Sequence, residues 1–188
     1  GLNKDKSVCL VWGSRSQQEK MKEELKEEPL KCGEVIVKMT ECDKWLGDYL
    51  HSGGMAASVT ETIRKRDGKV RGAALEISSI VDYWRAATVG GFVSGLFLWE
   101  FCCLPSLLYN AGSWTGISKE TERQAEGLQL WYLRLLLRQS PGVPTGSMLW
   151  ETGLLSVPLL IYREKLCLAL HIVPLGEDTL ARRIWQEQ

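Results

Sequence analysis

The sequence predicts an α+β fold, a short antiparallel β-meander followed by a mainly α-helical bundle. Two observations carry that expectation. Up to about residue 54 the apolar residues come in short β-branched and aromatic runs bounded by turns, the pattern of strands. Beyond it they recur at threes and fours over long stretches, the period of helices packed on a common core. Composition agrees, since 188 residues of which 45% are apolar suffice for one domain with a smaller appendage and exclude wholesale disorder.

Taken in order, residues 7–12 (Ser-Val-Cys-Leu-Val-Trp) read as a strand ending at Gly13-Ser14. Residues 16–28 carry mixed charges, with Met21 and Leu25 four apart, and predict a short solvated helix stopped by Pro29. Residues 34–39 read as a second strand and 44–50 as a third, closed by the Ser52-Gly53-Gly54 turn. The period then changes. Thr60 is placed to cap a helix whose stripe is Ile63, Val70, Ala74, Ile77, Val81 and Trp84. A second helix over 89–109 is expected to bend or break near Pro105. Ser118 caps a third, with Glu120 and Glu122 at its positive start and Leu128, Trp131, Leu135 and Leu136 facing inward, until Pro141 and Pro144. A further helix starts after Ser156, packs Leu160, Leu166 and Leu170 inward and stops at Pro174; a last one near Asp178 carries Leu180, Ile184 and Trp185. These breaks divide the chain into 1–54, 55–140 and 141–188.

Charge and cysteine usage narrow the function. Lys+Arg and Asp+Glu are 23 each, so bulk positive charge does not hold a nucleic acid here, although a local basic patch can. None of Cys9, Cys32, Cys42, Cys102, Cys103 and Cys167 forms a C-x-x-C pair, and His51 and His171 are far apart, so no zinc site is expected. With no basic-then-apolar leader, the expectation is an intracellular protein, nuclear or cytoplasmic, with reduced, buried thiols. Residues 86–118 contain one charge, Glu100, and are long enough for a bilayer span. Their glycines, Pro105 and weak cationic flanks favour a buried central helix instead. No glycine-rich phosphate loop, G-x-S-x-G elbow or histidine-centred triad occurs. Asp43 and Asp48, five apart along one strand, are expected on opposite faces, which disfavours a metal pair.

Two features remain. In Lys44-Trp45-Leu46-Gly47-Asp48-Tyr49-Leu50, Gly47 lets a second backbone come close, and Trp45 and Tyr49 are expected to share a face that braces a ligand. An ordinary amphipathic strand has the same pattern. Arg64, Lys65, Arg66, Lys69 and Arg71 can meet duplex phosphates from one helix, and a solvated helix face has that pattern too.

Three blocks stand in order along the chain: Gly1-Leu2-Asn3-Lys4-Asp5-Lys6-Ser7, residues 44–50, and Leu104-Pro105-Ser106-Leu107-Leu108-Tyr109-Asn110-Ala111-Gly112-Ser113-Trp114. They resemble the motif D turn and lysine, the motif E primer grip (often K-Y-L-G) and the thumb signature L-P-x-L-L-Y-G-x-E-x-W of non-LTR (LINE-type) retrotransposon reverse transcriptases. Asn110 departs from the usual Gly, and the signature's Glu does not occur in the block. The resemblance implies that 1–54 is the end of a palm with its primer-grip hairpin, 55–140 a thumb-like bundle and 141–188 a helical extension. It places Lys6 near the incoming nucleotide's phosphates and Trp45, Leu46 and Gly47 at the primer end. Arg64, Lys65, Lys69 and Arg71 would face an RNA–DNA or DNA duplex, holding it weakly and salt-sensitively through backbone and shape.

The F/Y-x-D-D loop that holds two Mg2+ ions in such enzymes does not occur in this sequence. The expectation is therefore a fragment of an RNA-directed DNA polymerase without polymerase activity or a cofactor of its own. The rival is a helical protein-interaction module anchored by Trp84, Trp99 and Trp131. A membrane-inserted protein resting on 86–118 ranks lower.

Overall fold

The computed structural model describes the backbone of residues 7–33, 35–85 and 89–186, and the side chains of these except at 32, 35, 80–85, 89 and 184–186. The fold is mostly helical with a few short strands, in keeping with the α+β class. Contacts divide the chain into two units: one up to Thr62 with Thr115–Ile117, the other Ile63–Trp114 with the chain from Ser118 on.

In the first unit the strands are β1 (Val8–Cys9), β2 (Lys31–Cys32), β3 (Val35–Ile36), β4 (Lys38–Met39), β5 (Cys42–Trp45) and β6 (Asp48–His51). Helix α1 (Arg15–Glu27) follows β1. It starts with a capping box, in which Ser14 Oγ accepts from the Gln17 N–H and Gln17 Oε1 accepts from the Ser14 N–H. No α1 side chain is buried, as its charge pattern predicts. Across from it, the Lys22 ammonium bonds Glu41 and holds that carboxyl below its ordinary value.

The expected antiparallel meander is corrected here. The strands form three separate two-stranded sheets, β1–β4, β2–β3 and β5–β6, and the first pair is parallel, with Val8 opposite Lys38 and Cys9 opposite Met39. The cause is α1, because a helical crossover between two strands returns the second in the direction of the first. The expected strand over 34–39 is split at Val37, whose N–H donates to Leu30 O; Glu34 lies outside the described residues.

Helix α2 (Met55–Arg85) gives its first turns to the first unit and the rest to the second. Thr60 does not cap it. The backbone is helical from Met55, directly after Gly54 at φ 93°, and Thr60 Oγ1 donates to Ala56 O inside the helix. Ile63, Val70, Ala74 and Ile77 are buried as the stripe predicts, while the side chains of Val81 and Trp84 lie outside the description.

The second unit continues with α3 (Val89–Leu98), a π-helical turn (Trp99–Cys103), α4 (Leu104–Leu108) and a 3-10 turn (Ala111–Ser113). The irregularity expected at Pro105 is this π turn just before it. Proline has no N–H to return to Phe101 O and its ring needs room there; the wider turn supplies it, with the Leu104 N–H reaching Trp99 O.

Then come α5 (Lys119–Leu137), α6 (Thr145–Thr152), α7 (Val157–Ile172) and α8 (Leu180–Gln186). Ser118 caps α5 through the Thr121 N–H at 3.1 Å, as predicted. The helix stops before the prolines, where Arg138 turns left-handed at φ 52°. Leu128 and Leu136 are buried, but Leu135 is exposed. On α7 only Leu160 of the three expected leucines is buried; Leu166 and Leu170 face solvent. Relative to the buried face of Val157, Leu160 and Ile161, both fall on the opposite side of a helix of about 3.6 residues per turn. Leu180 is exposed as well, and the side chains of Ile184 and Trp185 lie outside the description.

The second unit's core is built around the π turn. Trp99, fully buried, stacks on Tyr132 at 4.4 Å, and Tyr132 Oη donates to Gly95 O at 2.9 Å. A Cβ at Gly95 would stand 2.6 Å from Leu136 Cδ1 and displace that side chain. Buried Gln129 accepts from Trp99 Nε1 and donates to Leu155 O. Among the described residues one helical stretch, Gly90–Ser113, is long and apolar enough to cross a membrane, and 39% of its most apolar window is buried inside the protein. The thiols are not uniformly buried: among those described Cys103 is, and desolvation pushes it up to about 11, while Cys102 and Cys167 are exposed.

Candidate nucleic-acid interface

Residues 44–50 do not form one strand. β5 and β6 make an antiparallel hairpin pairing Cys42 with His51, Asp43 with Leu50, Lys44 with Tyr49 and Trp45 with Asp48. The connection is Leu46-Gly47, at φ 47° and 93°. Two successive positive φ values define the tight hairpin turn whose twist matches its strands. Glycine adopts such an angle freely, whereas Leu46 is strained by roughly 1–2 kcal/mol.

The turn changes which side chains meet. Opposed residues share a face, so Trp45 lies with Asp48, and Lys44 with Tyr49. Trp45 and Tyr49 are thus on opposite faces and do not form the expected brace. Asp43 and Asp48 fall on the same face, also contrary to the single-strand expectation. Among the described residues no group of three or more His, Cys, Asp or Glu is placed to hold a metal ion. At the tip Trp45 is 62% exposed and Leu46 71%.

The base of the hairpin is rigidly held. The outward N–H groups of Tyr49 and His51 donate to Thr62 Oγ1 and Ser58 Oγ, each at 2.8 Å. Ser58 and Thr62 are both buried, one turn apart on α2. Two small hydroxyl residues four apart at otherwise apolar helix positions are their signal in the sequence. The Trp12 indole N–H adds a bond to His51 O at 2.9 Å.

The basic set on α2 separates into different roles. Arg64, Lys65 and Lys69 are exposed. Arg71 is half-buried, paired through Nε with Asp67 at 2.9 Å and lying 4.7 Å over the Trp131 ring. It is committed to the protein, which weakens its expected role at phosphates. Arg64 and Arg71 lie on one stripe and Lys65 and Lys69 on the next, with Gly68 and Gly72 between; a Cβ added to either glycine meets nothing within 4 Å.

Arg66 is buried, at 7% exposure. Its guanidinium donates to Leu107 O and Tyr109 O at 3.1 and 2.8 Å and lies 5.6–5.7 Å from the Tyr109 and Trp114 rings. It therefore clamps the 104–114 block from within and is not a phosphate ligand. Inside that block Asn110 takes φ 60°, the conformation that Gly, and next to it Asn, adopts with least strain. Ser113 Oγ donates to Asn110 O. Lys6 lies outside the described residues.

No protein-family model matches the chain, and no curated protein or solved structure is found similar to it.

Proposed function

We propose that the chain is a fragment of a reverse transcriptase of the non-LTR retrotransposon kind, with a surface that holds primer and template–primer duplex. The observation that carries this reading is the hairpin at Lys44-Trp45-Leu46-Gly47. The segment similar to the primer grip is an antiparallel hairpin with a strained two-residue turn and an apolar, solvent-facing tip. Strain kept at an exposed turn is common at ligand contacts. Asn110 adds support: it stands where the resembled signature has Gly, in the backbone conformation that would ask for one.

In this reading Trp45 and Leu46 rest against the primer end. The exposed Arg64, Lys65 and Lys69 meet phosphates by counterion release. Contacts of this kind read backbone and duplex shape. With no F/Y-x-D-D in the sequence, the role assigned to these residues is holding, not polymerisation.

The test is binding of a labelled RNA–DNA duplex over a salt series, with Arg64, Lys65 and Lys69 changed together to Gln and, separately, Trp45→Ala. Arg71 is kept, because its loss would disturb Trp131. Each lost phosphate contact is expected to lower the slope of log affinity against log salt by about 0.7–0.9. A triple variant with the parent's affinity and slope makes the helix a solvated face and removes it from the proposal. Trp45→Ala with unchanged affinity removes the hairpin.

A further inference from the structure

A second surface belongs entirely to the larger unit. The π turn and α4 form one side of a cleft of about 680 Å3, and the segment from Gly153 into α7 forms the other. Its floor is apolar and fixed: Leu104, Leu108, Leu154 and Leu160 are all buried in the core. Its walls are apolar and wet, with Phe101 63% exposed, Tyr109 55% and Leu155 46%. Phe97 stacks on Phe101 at 4.1 Å and prolongs that wall along α3.

Walls this exposed decide the size of the occupant. A small ligand buries about 70–90% of its surface when bound, which a cleft with walls this exposed does not provide. A polypeptide segment laid across it covers walls and floor together, the way an amphipathic helix fills an apolar groove. Apolar patches of this kind rimmed by polar residues mark protein-interaction sites.

Charge selects among segments. Arg163 and Glu164 on the rim pair with each other at 2.9 Å and cancel. Glu100, also on the rim, has no ion-pair partner among the described residues. The cleft therefore offers one uncompensated carboxylate beside an apolar trough. We infer that it docks a segment of a partner protein that inserts apolar side chains between Phe101 and Leu155 and sets a lysine or arginine against Glu100. This surface is distinct from the nucleic-acid reading and does not depend on it.

Fluorescence anisotropy tests it with two short labelled helical peptides that share one leucine face and carry either lysine or glutamate beside it. The lysine peptide is expected to bind the full chain about ten-fold more tightly than the glutamate peptide, a difference of about 1.4 kcal/mol. Glu100→Lys reverses the order, and Phe101→Ala weakens both. Both positions are exposed, and circular dichroism checks that each variant keeps its fold. Equal affinity for the two peptides, an order that Glu100→Lys leaves unchanged, or Phe101→Ala without effect overturns the assignment.

Discussion

The two units hold themselves together by different means. Among the described residues Val59 is the one buried apolar side chain of the first unit, and every other buried apolar side chain belongs to the second. The first unit relies on local devices: a capping box, two-stranded sheets, and the Ser58 and Thr62 hydroxyls bonded to β6. The second has a continuous core around Trp99, Tyr132 and Leu133, stitched by buried polar bonds from Arg66, Gln129 and Tyr132. Two-stranded sheets on their own are marginal in water, while burial of large side chains contributes roughly 1.5–3 kcal/mol each. Stability thus belongs to the helices, and the strained, exposed tip belongs to the unit with the least core.

The largest expected effect breaks that comparison from the strong side. Arg66→Ala leaves Leu107 O and Tyr109 O without their donor and opens a gap under Tyr109 and Trp114. A loss of about 3 kcal/mol is expected in denaturant unfolding followed by near-ultraviolet circular dichroism. A loss under about 1 kcal/mol would mean that Arg66 does not clamp the block.

A smaller effect of opposite sign is expected in the first unit. Leu46→Gly relieves the positive φ and stabilises the hairpin by about 1 kcal/mol. Slower hydrogen exchange at the Tyr49 and His51 amides is the readout. Faster exchange would mean that Leu46 contributes packing that outweighs its strain.

The smallest effects concern pH, and one carboxyl in each unit responds in the opposite direction to the other. The Lys22 ammonium lowers the Glu41 carboxyl, so the stability this pair contributes is present at neutral pH and lost as pH falls through the folded value. Glu126 behaves the other way. Burial raises its carboxyl more than the bond accepted from the Val157 N–H at 2.5 Å lowers it. The folded state then holds the proton more tightly than the unfolded chain, so acidification from neutral pH towards the unfolded value relieves a penalty. Glu126→Gln removes the titration, and its stability relative to the parent should be highest at neutral pH and decline on acidification. Parallel pH curves for the two proteins would contradict that assignment.

What could be read in the sequence was local. Ser118 as a cap, the solvated α1 and the stripe from Ile63 to Ile77 depend on neighbours within a turn or two. The hairpin at 44–50 escaped the pattern because Leu46-Gly47 lacks the Asn or Asp that usually precedes the turn glycine. Only the resemblance implied a hairpin there. The parallel pairing of β1 with β4 spans a helix and leaves no mark in either strand. Arg66 is legible by position, three residues after Ile63 and four before Val70 on the apolar stripe itself, although its charge groups it with Arg64 and Lys65. For Leu166 and Leu170 hydrophobicity points inward while the period of their own helix turns them out.

The stacked pair of Trp99 and Tyr132 has a practical consequence. Two rings 4.4 Å apart and 13° from parallel, with the indole shielded from water, form a fixed chiral chromophore in a chain with eight tryptophans. Trp12 and Trp45, in contrast, emit from water and are open to a soluble quencher. Near-ultraviolet dichroism therefore follows the helical core, whereas quenchable red emission comes from both units, since Trp150 on α6 is 89% exposed. A single unlabelled sample can thus show when the helical core melts.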